Sequence, residues 1–247
     1  MSGLRLHESL PSTQSLVIQL AERGEPAGLA IMARRQTEGR GRAGRVWESV
    51  AGNLHLSVLL RPGGPARDVP SYALLAAVAL HEAALHHAPG RALRLKWPND
   101  LMENEAKLAG ILAEAALDAA GGIAHLVLGF GVNLAHAPEV PGRAVTCLGP
   151  ILPEALAETL LARLHHWQIR RLTEGFAPIR AAWMAAGPIP GSLITLRQGD
   201  NPVSGSYEGL AEDGGLMLAT GGRLHSFHAG EVAHASENGG ENDASRR

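Results

Sequence analysis

The sequence predicts a mixed α/β domain followed by a small β-domain, and three observations carry that expectation. Up to Ala186, stretches with helical apolar spacing alternate with short apolar runs that read as strands. Gly187-Pro188-Ile189-Pro190 then breaks the chain. Beyond it Leu193–Leu196, Val203–Leu210, Gly215–Ala219 and Leu224–His228 read as short strands between Gly and Asp turns, a spacing that fits a small barrel of about 45 residues. The expected boundaries are 1–187 for the larger domain and 188–235 for the smaller. Residues 236–247 hold almost nothing apolar and are expected to be a disordered tail.

Each element has a local reason. Ser12 or Thr13 can cap a helix running to Arg23, with Leu16, Val17 and Leu20 as its apolar stripe, Gly24 at its end and Pro26 beyond. Gly28–Ala33 reads as a buried strand. Asn53–Leu60 alternates at Leu54, Leu56, Val58 and Leu60, which is strand periodicity. Pro62–Pro65 is a turn, and Asp68–His87 is a long alanine–leucine helix of the core. Ala92–Lys96 is a short strand leading into Trp97-Pro98-Asn99-Asp100. Leu108–Ala116 and Ile123–Val132 read as neighbouring strands, and Pro153–Ala186 as helical with an interruption near Gly175–Pro178.

Composition excludes several classes. With 45% hydrophobic and 19% charged residues the chain has an ordinary globular balance rather than a disordered one. A net charge of −2 argues against a surface that binds nucleic acid as a whole, although a local basic patch remains open. The single cysteine, Cys147, excludes an internal disulfide or a cysteine-based zinc site, fits a reducing compartment, and reads as a buried apolar filler. The longest apolar run, Tyr72–Leu80, is far below the roughly 20 residues of a membrane span. The N-terminus shows no apolar signal segment. A soluble cytoplasmic protein without membrane association is expected. The adjacent pairs His86-His87 and His165-His166 point in different directions on helices and make no chelating pair.

Charge concentrates in one loop. Arg34–Arg45, RRQTEGRGRAGR, holds five arginines. Its Gly39-x-Gly41-x-x-Gly44 spacing matches a dinucleotide fingerprint literally, but that fingerprint must open a helix and here a strand follows. No kinase motif accompanies it. The glycines still allow close backbone approach, and Arg40, Arg42 and Arg45 supply planar donors suited to phosphate oxygens. A solvated basic loop or a nucleic-acid patch is the competing reading. In Lys96-Trp97-Pro98-Asn99-Asp100 the proline fixes a turn that holds Asn99 and Asp100 at a strand end. Lys107 enters an apolar strand and calls for an anionic partner. Gly110, Gly129 and Gly131 offer places where a ligand can lie against backbone, and Asn133 ends the second of these strands. Taken singly these are turn residues and a surface charge; together with the arginine loop they read as a ligand site.

Four motifs, GRGRAGRVW, KWPNDL, KLAGILAE and GFGVNL, in this order and spacing, resemble the biotin protein ligases over Leu6 to about Val232. The resemblance implies an α/β (α+β) fold, a class II synthetase-like mixed sheet domain followed by an SH3-like β-barrel. It also implies a biotin–[biotin carboxyl-carrier protein] ligase using biotin, ATP and Mg2+. Biotinoyl-AMP forms first, and biotin then passes to a lysine of the biotin carboxyl carrier domain of a carboxylase. By resemblance Ser12, Thr13, Gln14 and Gln36 contact biotin, with Gln14 standing where the family carries Asn. Gly39, Arg40, Gly41 and Arg42 form the adenylate loop, in which Ala43 and Val46 replace commonly basic residues. Arg45, Trp47, Asn99 and Asn133 lie on the nucleotide side. Gly110 and Gly129 line the biotin pocket, and Gly230-Glu231-Val232 matches the end of the SH3-like domain. Lys107 falls at the reacting carboxyl–phosphate junction, where it touches both biotin and ATP. Lys107, Arg42 and Asp100 are the expected catalytic set, with Asp100 open to orienting the acceptor lysine, drawing its proton or sitting near metal, and the metal is carried with ATP. The short N-terminus resembles the ligase-only group, expected to bind no specific DNA and to be a monomer or homodimer. The rival readings are a lipoate or octanoyl ligase or transferase of the same fold, and a non-catalytic nucleic-acid-binding module using the arginine loop.

Overall fold

In a computed structural model of the chain, residues 3–198 and 201–234 are described. The expected tail, 236–247, lies outside them. The larger unit is a seven-stranded sheet in the order β1-β2-β3-β7-β6-β5-β4. Its strands are β1 (Leu4–Leu10), β2 (Ala30–Gln36), β3 (Leu54–Leu60), β4 (Leu93–Lys96), β5 (Asp100–Glu103), β6 (Ala106–Leu117) and β7 (Ile123–Val132). β1 and β2 are parallel and joined by helix α1 (Thr13–Glu22); the other neighbours are antiparallel.

The helix α1 starts where expected. Ser12 is extended and its side chain accepts from the Ser15 N–H at 3.4 Å. The strands β1 and β5 are absent from the sequence expectation. β1 is a largely exposed edge strand with little apolar signal, and β5 follows a proline turn with only four residues. β3 is buried on both faces, so its alternation is only half the story. Leu54, Leu56, Val58 and Leu60 belong to the large core with α2 (Val69–His87), α3 (Pro153–Glu174) and α4 (Ala177–Ala186). Leu59 joins a second cluster with Val17 and Ala21 of α1, Ile31 and Val127. α1 therefore covers part of the opposite face, and the remainder of that face holds the site.

The smaller unit is a five-stranded antiparallel sheet, β11-β10-β9-β8-β12, made of β8 (Leu193–Gln198), β9 (Asn201–Leu210), β10 (Leu216–Thr220), β11 (Arg223–Phe227) and β12 (Glu231–His234). The last, only four residues long, is a further strand beyond the four expected. Tyr207, Leu210, Leu216 and Leu218 are fully buried in the same core as α2 and α4. Trp97 Nε1 donates to the Gly214 carbonyl at 3.2 Å, and Arg180 Nε to that of Leu210 at 2.6 Å. The break at Gly187–Pro190 thus links two packed units. Tyr72–Leu80 is almost wholly core of α2, and no described helix is long and apolar enough to cross a membrane. Cys147 corrects the expectation of a buried filler: it is half-buried in the loop before α3, with its carbonyl accepting from Arg91. Among the described residues no cluster of His, Cys, Asp and Glu could hold a metal by itself.

Candidate active site

The floor of the site is built by strand register. On β7, Gly129 faces Ser57 of β3 and Leu112 of β6, while Gly131 faces His55 and Gly110. Side chains alternate between faces, so these glycines leave the face shared with Ser57 and Glu114 bare. The vacant positions are used. A Cβ on Gly129 would lie 2.5 Å from Gln14 Oε1, and one on Gly131 2.3 Å from the Trp47 indole. At Gly110 it would meet Lys107 Nζ and Trp47 at 3.2 Å. Gly129 and Gly131 are thus required for close approach, the latter marked for it by the sequence although the resemblance assigns it no contact.

At the closed end the first turn of α1 points Thr13 and Gln14 at this floor. Thr13 donates to Gln36 Oε1 from its backbone N–H at 2.8 Å and from its hydroxyl at 3.0 Å. The Thr13 and Ser57 hydroxyls are 2.9 Å apart, and Ser57 donates to Gln14 Oε1 at 3.1 Å. Gln14 Nε2 donates to Glu114 at 3.0 Å and to the Val127 carbonyl at 3.3 Å. Ser12, Thr13, Gln14 and Ser57 are all buried. Apart from Glu114 at its rim, the network is neutral. Ser57 was not anticipated, although a serine inside the apolar run of β3 was a usable signal.

The open end is ionic. The Gly39–Trp47 loop folds over the cavity with an antiparallel bridge between Arg40 and Val46, and the Trp47 N–H donates to the Gly39 carbonyl at 2.9 Å. Arg40 pairs with Glu114 at 2.7 Å and Arg45 with Glu231 at 3.0 Å. Arg42 donates to Asn99 Oδ1 at 2.8 Å. Lys107 Nζ lies 2.6 Å from Asp100 Oδ1 and 5.8 Å from the centre of the Trp47 ring. Asn99 Nδ2 donates to the Ile111 carbonyl, and Asn133, fully buried, donates to the Thr146 carbonyl at 3.1 Å. Burial pulls the Arg42 guanidinium below its usual pKa, opposed by the charge of Asp100. Burial likewise lowers Lys96, opposed by Asp100 and Glu231. Burial pushes the Glu231 carboxyl up, but its bond to Arg45 and the charges of Arg143, Arg45 and Lys96 outweigh that and hold it below the usual range.

Both ends open into one cavity of about 530 Å³. Of the sequence-predicted site residues, Ser12, Thr13, Gln14, Gln36, Arg40, Gly41, Arg42, Arg45, Trp47, Asn99, Asp100, Lys107, Gly110, Gly129 and Asn133 line it. Gly39 does not; it faces the outer side of the loop, where a Cβ would lie 2.2 Å from the Trp47 carbonyl oxygen. Lys96, Arg143 and Glu231 line the cavity without having been singled out as ligand contacts. An arrangement with hydrogen-bonding groups at one end and cations at the other can hold a neutral polar head and place its far end against phosphates.

Residues 6–133 match the model of the biotin/lipoate A/B protein ligase family, and residues 191–235 match that of the biotin protein ligase C terminal domain. The biotin–[acetyl-CoA-carboxylase] ligase of Paracoccus denitrificans is 37% identical over 218 residues, 84% of this chain and 90% of that protein. The bifunctional ligase/repressor of Bacillus subtilis (strain 168) is 30% identical, over 92% of this chain and 72% of that one. The structure of a biotin protein ligase from Aquifex aeolicus in complex with biotin and ATP superposes with a TM-score of 0.79 at 26% identity, covering 94% of this chain and 98% of that one.

Proposed function

Because the chain belongs to the biotin/lipoate A/B protein ligase family, we propose a division of labour in which the closed end of its cavity selects biotin and the open end performs the chemistry. The chain is an ATP-dependent biotin ligase: it activates biotin and transfers it. The observation that carries the proposed roles is the single cavity joining a neutral hydrogen-bonded end to a cationic one. A ureido ring offers donors and an acceptor to Ser12, Thr13, Gln14 and Gln36. A dithiolane ring or an alkyl chain would shut water out while offering no partner for the hydrogen-bonding capacity those groups still turn toward the cavity, which disfavours lipoate or octanoate.

In the first step a biotin carboxylate oxygen attacks the α-phosphorus of ATP, the bond to the bridging oxygen breaks, and pyrophosphate leaves. Lys107 and Arg42 face the charge that grows on the phosphate oxygens, and Arg40 reaches the carboxyl and phosphate oxygens. Trp47 and Gly131 bound the nucleotide side with Asn99 and Asn133, and Arg45 sits at its rim. Asp100 holds Lys107 in place at 2.6 Å. Mg2+ usually rests on one or two carboxylates plus substrate phosphates, so Asp100 fits as its protein contact, where the ion would neutralise phosphate charge. In the second step the neutral amine of an acceptor lysine attacks the acyl carbon, the bond from that carbon to the phosphate oxygen breaks, AMP leaves, and the amine's proton passes to solvent. The loop excludes water from the anhydride between the steps.

The acceptor we infer is a lysine of a biotin carboxyl carrier domain. Residues 1–187 would form the catalytic unit and 188–235 the smaller one, which reaches the cavity through Glu231. The cytoplasmic setting rests on the lone cysteine. Incubation with biotin, MgATP and a purified carrier domain, read by intact mass, should add one biotinyl group to the carrier. Addition of lipoyl but not biotinyl groups would overturn the reading.

A further inference from the structure

We propose that Glu114 is a positioning residue that ties the arginine loop to the closed end of the pocket, with one carboxylate oxygen holding Arg40 and the other holding the Gln14 amide. The inference rests on the biotin reading above and assigns a part to a residue outside its binding and catalytic set. Glu114 lies on β6 opposite Val127, on the same face as the floor. The pairing of β6 with β5 ends at Gly110, so the rim at Glu114 is open to the loop. Oε1 meets Arg40 at 2.7 Å and Oε2 meets Gln14 Nε2 at 3.0 Å.

Glu114 sets which end of the Gln14 amide faces inward. With Nε2 bound to Glu114 and the Val127 carbonyl, Oε1 must face Ser57 and the bare floor at Gly129. A flipped amide would set its oxygen against a carboxylate and a carbonyl, neither of which can donate. The pocket therefore presents an acceptor, as a ureido N–H requires. An asparagine at position 14, one methylene shorter, would lose this reach. Glu114 also anchors the loop before any phosphate is present. Once phosphate oxygens arrive, Arg40 exchanges its partner for them, and the loop stays closed on the ligand instead.

Two substitutions separate the two oxygens' tasks. In Glu114→Gln a carbonyl remains for Gln14 Nε2 while the charge facing Arg40 is gone. In Glu114→Ala both are lost. Trypsin cleavage after Arg40, Arg42 and Arg45 in the ligand-free protein, read by fragment mass, reports loop closure. It should accelerate roughly two- to fivefold in both variants, the factor an exposed ion pair supports. Biotin-dependent pyrophosphate exchange reports the pocket. Its KM for biotin should stay within about twofold of the parent in Glu114→Gln and rise roughly tenfold in Glu114→Ala, with kcat nearly unchanged in both. Unchanged cleavage in Glu114→Gln, an unchanged KM in Glu114→Ala, or a loss confined to kcat would overturn the proposal. Absence of biotin-dependent exchange in the parent protein would instead sink the biotin reading, and the ligand-free cleavage would still report on the loop tie.

Discussion

The closed and open ends of the cavity are built on opposite principles. At the closed end, Thr13, Gln14 and Ser57 are buried and Gln36 half-buried, on the start of a helix and on sheet strands, in a network whose internal hydrogen bonds fix which remaining donors and acceptors face the cavity. At the open end, Arg40, Arg45 and Glu231 are partly exposed; carboxylates hold Arg40, Arg45 and Lys107, and the Asn99 amide oxygen holds Arg42. A buried neutral network is expensive to leave unpaired, so it discriminates between head groups. Exposed ion pairs contribute little to stability and exchange partners readily. The difference teaches that recognition is kept where the protein is rigid, and the charges needed for reaction are parked on partners that phosphate can displace.

The comparison breaks first if Lys107 is dispensable. Lys107→Ala should lower kcat of pyrophosphate exchange by roughly 10²–10³-fold, with KM for biotin nearly unchanged. Loss of biotin affinity with normal kcat would place Lys107 at the wrong end.

Acid should weaken β3, the strand beneath the floor shared by both ends. His55, two residues before Ser57 on β3, is buried, and burial lowers its pKa from 6.5 to about 4, opposed by the Ala33 backbone. The unfolded chain then binds more protons than the folded one within that window. The contribution is complete above pH 6.5 and falls away as pH drops to 4, by about 3 kcal/mol in full. Urea unfolding at pH 7 and pH 4.5 should show a larger acid loss in the parent than in His55→Leu. Equal losses would remove His55 as the cause.

Gly129→Ala sharpens the contrast at a smaller scale. Its new Cβ would meet Gln14 Oε1 at 2.5 Å, so the amide must move. KM for biotin should rise roughly tenfold or more while KM for ATP stays within about twofold. The smallest effect belongs to Glu231→Gln, which removes the charge facing Arg45 and Arg143. A shift in KM for ATP of no more than about fivefold is expected, fading in high salt.

How much of this was legible follows from chain separation. The loop, Lys96–Asp100 and Lys107 announce themselves because glycines, a proline and charges stand close together in sequence. The cap at Ser12 is equally local. Ser57, Glu114 and Glu231 were not assigned to the site, because strand register and the packing of the smaller unit bring them there from 43, 100 and 186 residues away from Gln14, Gln14 and Arg45. β1, β5 and β12 are short or exposed and carry little periodic signal. Cys147 was misplaced because its partner, Arg91, lies 56 residues away and takes its backbone rather than its thiol.

The most direct test of this division of labour is ATP–pyrophosphate exchange with biotin, lipoate and octanoate compared in parallel. Biotin alone should drive exchange in the parent protein. Lys107→Ala should abolish most of it while biotin binding by calorimetry persists. Exchange driven by lipoate or octanoate, or full exchange in a folded Lys107→Ala, would contradict the assignment of selection to one end of the cavity and chemistry to the other.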